Sequence, residues 1–103
     1  MWCPINSIGL VIFAHGSGSN RFSPRNCYVA NQLNRHHLAT ILLDLLTPQE
    51  DESYAKRFDI ALLTQRLLLA TQWARVANQT RLLPIGYFGA STGAAAALQA
   101  AAN

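Results

Sequence analysis

This chain contains few cysteines, few charged residues and no long apolar run. Its 103 residues include two cysteines, Cys3 and Cys27, which have neither C-x-x-C nor zinc-ligand spacing. The sequence therefore indicates neither a disulfide framework nor a metal site, and we expect the reduced thiols of a cytoplasmic protein. No apolar run approaches the length of a membrane span and the chain does not open with a signal-peptide pattern, so we expect no membrane partner.

Charged residues make up only 13% of the chain, with eight basic residues against five acidic ones. The basic residues are scattered along the sequence, whereas a nucleic-acid surface requires a basic patch. We therefore expect a solvated surface and no nucleic-acid partner. Half of the residues are hydrophobic, which at this length is enough for one small core and for one domain at most.

The most informative segment is Gly89-Ala90-Ser91-Thr92-Gly93, a G-x-S-x-G motif. An apolar strand-like segment precedes it and an alanine-rich helix-like segment follows it, which is the context of a nucleophile elbow. A strand that reverses so abruptly into a helix brings Gly89 and Gly93 close to neighbouring backbone, where a Cβ would clash. The motif predicts Ser91 at the tip of the turn, with the Thr92 N–H and the positive end of the helix dipole directed at the same point.

A second glycine motif follows an apolar strand near the start of the chain. The segment from Ile8 to Ala14 runs directly into His15-Gly16-Ser17-Gly18-Ser19. Small residues after a buried strand allow backbone N–H groups to face a ligand, as the second half of an oxyanion hole requires. Gly16 and Gly18 are the predicted loop glycines, and the two motifs together are more specific than either alone.

Strand-like and helix-like segments alternate along the chain, which predicts an α/β fold with parallel strands joined by helical crossovers. Three short strands are apolar throughout, as strands covered on both faces are: about Leu10 to Ala14, Thr40 to Leu45 and Leu82 to Phe88. A first helix is predicted from Ser23-Pro24, with Ser as the N-cap, to about His36. A second helix has apolar residues at spacings of three and four, which predicts a broad packing face. They are Ile60, Leu63, Leu67, Ala70, Ala74 and Ala77, flanked by Leu62, Leu69, Trp73 and Val76.

Taken together, these motifs resemble the first half of a dienelactone-hydrolase-like α/β-hydrolase. The resemblance runs from Gly9 to Ala102 and rests on GLVIFAHGSGSNRFSPRN, ATILLDLLTPQEDE and LPIGYFGASTGAAAAL. It implies a single partial α/β-hydrolase domain over residues 1–103, a truncated core without the C-terminal strands and helices of the family. The expected architecture is a three-layer αβα fold, with a parallel sheet of about three strands in the order 2-1-3.

The resemblance also implies a chemistry. Ser91 would be the nucleophile, and the N–H groups of Thr92 and Ser17 the oxyanion donors, of a serine hydrolase that acts on small carboxylic ester or lactone substrates without a cofactor or metal. Dienelactone hydrolase itself uses Cys at the elbow, so its substrate is not carried over to this chain.

The chain departs from this family in its catalytic triad. The α/β-hydrolases place Asp or Glu, and then His, after the nucleophile. Only twelve residues follow Ser91 and none is acidic or histidine, so the triad Asp and His are absent and we expect this chain alone to be inactive. An upstream triad of Ser91, His15 and Asp44 is the alternative, because parallel strands share one carboxyl edge. The favoured interpretation is that His15 shapes the oxyanion loop and that Asp44 orders a loop.

Two further functions compete with hydrolysis. One is a nucleotide- or phosphate-binding module. This alternative rests on Gly16-x-Gly18 and on Asp44 late in the second strand, which resemble a dinucleotide-binding fingerprint. Arg21 stands where the third glycine belongs, however, and no P-loop is present. The other alternative is a non-catalytic fragment that acts by self-association, because Leu82 to Phe88 would present an unpaired apolar strand edge.

The remaining polar segments are interpreted as surface. Pro48 to Ser53 contains three acids and is expected to form a solvated loop. His36-His37 is expected to cap the first helix rather than bind a metal, since no third ligand is spaced with the pair. Arg21 and Arg25 are expected on the surface, with steering of an anionic substrate as the alternative.

Overall fold

The computed structural model describes residues 1–15, 21–89 and 92–102, and in these three parallel strands alternate with five helices. In chain order the elements are β1 (Gly9–Ala14), α1 (Pro24–Arg35), β2 (Leu38–Leu42), α2 (Pro48–Asp51), α3 (Tyr54–Arg57), α4 (Ile60–Val76), β3 (Ile85–Gly89) and α5 (Thr92–Ala101).

The sheet has the order β2-β1-β3, with both pairs parallel, which confirms the predicted topology. Leu10, Ile12 and Ala14 of β1 join the hydrophobic core on one face of the sheet, together with residues of α4 and α5. Helix α1 lies on the other face, where the Asn34 side-chain amide donates to the Thr40 hydroxyl at 3.3 Å. Helices therefore cover both faces, as the three-layer prediction requires.

The ranges of β2 and β3 differ from the prediction. Strand β2 begins at Leu38 and ends at Leu42, so the buried residues Leu45 and Leu46 pack from the segment after the strand. Strand β3 begins only at Ile85, and Leu82 is exposed in the preceding turn. Apolar composition identified the three strand segments but not the residues at which backbone pairing starts and stops, and no residue of β3 is buried.

Helix α4 packs through a narrower stripe than its sequence predicts. Its buried residues are Leu63, Thr64, Leu67, Thr71 and Ala74. The predicted flanking residues Leu69, Trp73 and Val76 are exposed, so the expectation of a broad packing face was wrong on that side. The helix has 17 residues, and no helix in the described part of the chain combines the length and hydropathy needed to cross a membrane.

The acidic segment Pro48 to Ser53 is not a solvated loop as predicted, because most of it forms the short helix α2. Thr47 and Glu50 make a capping box, in which each side chain accepts a hydrogen bond from the backbone N–H of the other residue. Pro48 occupies the first helical turn, where its missing N–H costs nothing. The number of acidic residues led to the prediction of a solvated loop, but the T-x-x-E spacing of the capping box determines the local structure.

Glu50 also connects α2 to α4. The Arg66 guanidinium donates to both Glu50 carboxylate oxygens, at 2.9 and 2.8 Å, and to the Leu45 carbonyl at 3.2 Å. The hydrogen bond from Arg66, followed by that from the Thr47 N–H, lowers the pKa of Glu50 from 4.5 to about 2. Arg66 therefore holds both the short helix and the segment that leads from β2 into it.

Replacing Glu50 by glutamine is expected to weaken the dependence of stability on acid pH. Because the folded-state pKa of Glu50 lies below 4.5, its carboxylate stabilises the fold above that pH and loses the contribution as the pH falls toward about 2. Glutamine preserves the capping box without the charge. Urea midpoints measured across this pH window check the expectation. Glu52→Gln removes the same charge from an exposed residue, and identical pH profiles for the two variants would contradict it.

Candidate functional site

The two glycine motifs follow strands that end side by side. Ala14, the last residue of β1, pairs with Gly89, the last residue of β3. The segments that leave these strands therefore start from adjacent positions at the carboxyl edge of the sheet, where ligands bind in open α/β folds. Gly16, Ser17, Gly18 and Ser91 lie outside the described residues, so their roles stay predictions.

Gly93 and Gly89 fix how closely helix α5 approaches the sheet. A Cβ on Gly93 would lie 2.6 Å from the His15 carbonyl oxygen and still closer to that of Ala14. A Cβ on Gly89 would lie 2.6 Å from the Gly93 carbonyl oxygen. Real Cβ atoms do not make such contacts, so the approach of α5 to the ends of β1 and β3 requires glycine at both positions.

Helix α5 begins at Thr92, the residue that follows Ser91. The first N–H groups of a helix have no partner within it, and they carry the positive end of the helix dipole. The Thr92 Oγ1 atom is buried and has no hydrogen-bond partner in the described part of the chain. A buried hydroxyl without a partner carries a desolvation cost. The backbone N–H groups of the first turn are the donors that a helix start offers to an anion.

His15 connects the end of β1 to the segment after β2. Its Nε2 atom accepts a hydrogen bond from the Leu45 backbone N–H at 3.0 Å. A neutral imidazole has only one acceptor nitrogen, so in this arrangement Nε2 is already in use and Nδ1 carries the proton. The geometry therefore suits a residue that positions the loop after β1, and it leaves His15 no imidazole lone pair with which to accept a proton from Ser91.

Asp44 lies two residues beyond β2 and binds Arg21. Its carboxylate accepts from the Arg21 backbone N–H at 2.7 Å and from Arg21 Nη1 at 3.0 Å. The guanidinium also lies 4.6 Å from the centre of the Phe22 ring. Asp44 thus orders the segment that enters α1, and its carboxylate is committed to Arg21. Arg25 is an exposed residue of α1.

The other two histidines lie at the amino end of the strands, on the side of the sheet away from the two glycine motifs. His36 is the C-cap of α1, and its backbone N–H donates to the Leu33 carbonyl, while that of His37 donates to the Asn34 carbonyl. His37 follows with a positive φ of 64° and immediately precedes β2, so both residues sit at the amino end of that strand. They are remote from the carboxyl edge. Among the described residues, no three His, Cys, Asp or Glu side chains are grouped as a metal site would need.

Sequence reasoning overlooked Arg66 as a residue that supports this edge. Its hydrogen bond to the Leu45 carbonyl holds the same residue whose N–H donates to His15. Arg66 therefore supports the site through Leu45, without touching the glycine motifs itself. The capping-box spacing of Thr47 and Glu50 was the available signal, because a box ending in Glu presents a carboxylate that an arginine can bind in bidentate fashion.

Comparison with known proteins gives one structural and two sequence relatives. No protein-family profile matches the chain. Two curated proteins, from two strains of Mycobacterium tuberculosis and each named "Putative phosphoribosyl transferase", are 57% identical over 95 residues, which is 92% of this chain and 21% of theirs. The crystal structure of a dienelactone hydrolase from Anabaena variabilis matches with a TM-score of 0.89 and 54% identity, over 97% of this chain and 48% of that one. The chain thus spans about half of the structural relative and about a fifth of the curated ones.

Proposed function

We propose that this chain, which has the fold of a dienelactone-hydrolase-like α/β-hydrolase, belongs to a serine hydrolase that acts on carboxylic ester or lactone bonds. The hydrolase-like fold is established by the structural relative. The proposal adds the reaction, the bond that is cleaved and the residues that act.

One observation carries the proposal: the position of Gly93 against the carbonyls of Ala14 and His15. This contact brings the start of α5, and with it the Thr92 N–H, to the end of β1 where the first glycine motif begins. The two segments that the sequence predicts to carry the oxyanion donors, more than seventy residues apart, therefore leave adjacent strand ends at one edge of the sheet. Such convergence is what an oxyanion hole requires and what a purely structural turn does not.

The proposed reaction is acyl transfer. The Ser91 hydroxyl attacks the substrate carbonyl carbon and gives its proton to a base, while the carbonyl oxygen becomes an oxyanion held by the N–H groups of Thr92 and Ser17. Collapse of this intermediate expels the alcohol, which takes up a proton. Water then attacks the acyl-serine, releasing the carboxylic acid and restoring the hydroxyl.

The base for this reaction is expected outside these 103 residues. The Nε2 lone pair of His15 accepts a hydrogen bond from the Leu45 N–H, and His36 and His37 lie at the amino end of β2. Asp44 is bound to Arg21. We therefore expect the chain alone to react with a carbonyl or phosphonyl group slowly and to turn over poorly.

Nucleotide or phosphate binding is less well supported. In a dinucleotide site the acid after the second strand must be available to the ribose hydroxyls. Here the Asp44 carboxylate accepts two hydrogen bonds from Arg21. The transferase name belongs to proteins of which about four fifths lies outside the match, so it is no guide to the chemistry of this segment.

A fluorophosphonate probe tests the proposal without requiring turnover. We expect the folded chain to be phosphonylated faster than the same chain in denaturant, and Ser91→Ala to abolish the labelling. Mass spectrometry of the intact chain and of its peptides measures both. Ser17→Ala is the matched control, because it removes a hydroxyl from the other glycine motif but keeps the N–H. Labelling that persists in Ser91→Ala, or that is no faster in the folded chain, would overturn the proposal.

A further inference from the structure

The hydrogen bond between His15 and Leu45 depends on the protonation state of the imidazole. The Nε2 atom of His15 accepts from the Leu45 backbone N–H at 3.0 Å. Only a neutral imidazole can accept in this way, because both ring nitrogens of an imidazolium are donors. Histidine is also the side chain that ordinarily changes its charge between about pH 5 and 8. This hydrogen bond therefore exists only while His15 is uncharged.

The Leu45 side of the hydrogen bond is fixed in the fold. Leu45 is 1% exposed and belongs to the hydrophobic core. Its carbonyl accepts from Arg66 Nη1 at 3.2 Å, and Arg66 is bound in turn to Glu50 of helix α2. Because the pKa of Glu50 is lowered to about 2, this ion pair keeps both charges throughout the range in which histidines ordinarily titrate. Leu45 is thus held on its carbonyl side at neutral and at mildly acid pH.

The His15 side of the hydrogen bond is less constrained. His15 is only partly buried, so a displaced imidazole ring has a path to water. An imidazolium left in place would direct its Nε2–H at the Leu45 N–H, and neither donor would have an acceptor. Water solvates the charged ring better than this arrangement does. Protonation is therefore expected to displace the ring of His15 and to leave Leu45 in the core.

His15 lies where three parts of the fold meet. It directly follows the last residue of β1 and directly precedes Gly16 of the first glycine motif. Its carbonyl oxygen lies against the first turn of α5, where a Cβ on Gly93 would be 2.6 Å away. Its ring binds the segment after β2. Displacement of the ring would uncouple the chain that enters the first glycine motif from the segment after β2.

Two ion pairs are associated with the segments around this hydrogen bond. Asp44 binds Arg21, and Glu50 binds Arg66. Strands β1 and β2 and helix α5 contain no charged residue. The guanidinium groups stay charged at any pH of interest, and Glu50 takes up a proton only near pH 2. Asp44 is therefore the carboxylate whose effect must be separated from that of the imidazole.

We propose that His15 is a pH-sensitive switch at the carboxyl edge of the sheet. The neutral imidazole joins the end of β1 to the segment after β2, and uptake of one proton from solvent at Nε2 breaks this connection. Loss of that proton restores it. The proposal does not depend on hydrolase activity.

Nuclear magnetic resonance tests the switch in the wild-type chain. In the neutral form, the chemical shifts of the His15 ring nitrogens should show a proton on Nδ1 and none on Nε2. As the pH is lowered, the protection factor of the Leu45 amide, corrected for intrinsic exchange at each pH, should fall by about tenfold or more. The midpoint of this change should equal that of the His15 titration. The amide of Ile12 in β1 should stay protected, which distinguishes a local release from unfolding.

His15→Gln tests whether the imidazole is the responsible group. The amide oxygen of glutamine accepts a hydrogen bond at every pH, so the Leu45 amide should stay protected in acid. His36→Gln is the matched control, because it makes the same substitution on an exposed residue at the amino end of β2 and should leave the transition unchanged. Asp44→Asn should also retain the transition.

Four results would each overturn the proposal. They are a proton on Nε2 in the neutral chain, Leu45 protection that stays constant while His15 titrates, an equal response in His15→Gln, and loss of the response in Asp44→Asn. The first two come from the wild-type chain and decide the question even where a variant does not fold. None of these measurements requires Ser91 to react, so failure of the switch and failure of the proposed hydrolase are distinguishable.

Discussion

Gly93→Ala is expected to destabilise the fold by about 3 kcal/mol or more, or to prevent folding altogether. The added Cβ would lie within 2.6 Å of the His15 carbonyl oxygen and nearer still to that of Ala14. Both contacts are with backbone, which cannot rotate away as a flexible side chain can. Alanine favours a helix over glycine by only about 1 kcal/mol, so the steric cost dominates. Urea unfolding followed by circular dichroism measures the change.

Gly86→Ala is the matched control for this substitution. A Cβ on Gly86 meets no atom within 4 Å, and the residue lies in β3, the strand that ends at Gly89. Glycine weakens a strand through its backbone entropy, so alanine at this position is expected to be neutral or to stabilise the fold by about 0.5 kcal/mol. Equal stability of the Gly86 and Gly93 variants would show that α5 does not approach the sheet as described.

Leu67→Ala is expected to cost about 3 kcal/mol of unfolding free energy. Leu67 is fully buried at the centre of α4, where it joins the core formed with β1 and α5. Its truncation removes apolar contact area and leaves a cavity between helix and sheet. For a domain of this size such a loss is a large part of the total stability. Thermal and urea unfolding of the purified variant measure it.

Leu69→Ala is the control in the same helix. Leu69 is 56% exposed, two residues from Leu67 and on another side of α4. Its truncation should change stability by no more than about 0.5 kcal/mol. The pair of variants distinguishes the narrow stripe seen in the structure from the broad face that the sequence predicts, since a broad face would make both substitutions costly.

Topology was the most predictable part of this protein. Three apolar segments alternating with helical ones predicted parallel strands, and right-handed crossovers together with the resemblance to dienelactone-hydrolase-like proteins predicted the order β2-β1-β3 that the structure confirms. The glycine spacing around Ser91 likewise anticipated a close approach of α5, and the structure shows that approach at Gly89 and Gly93.

Contacts between distant side chains were not predictable in the same way. The bonds from Leu45 to His15 and from Arg66 to Glu50 each join residues more than fifteen positions apart. Composition and periodicity carry no information about such pairs, because they depend on where the loops after the strands come to lie. The sequence position of Asp44 was enough to place it at the carboxyl edge of the sheet. Its hydrogen bond to Arg21 could not be predicted, for the same reason.

A crystal structure of the phosphonylated chain would show whether Ser91 and the two backbone N–H groups form one site, because the phosphonyl group imitates the tetrahedral intermediate. We expect a covalent adduct on Ser91, with the phosphonyl oxygen about 2.7–3.1 Å from the backbone nitrogens of both Thr92 and Ser17. An adduct on another residue, or a phosphonyl oxygen on Ser91 that points into solvent with neither N–H in reach, would contradict it.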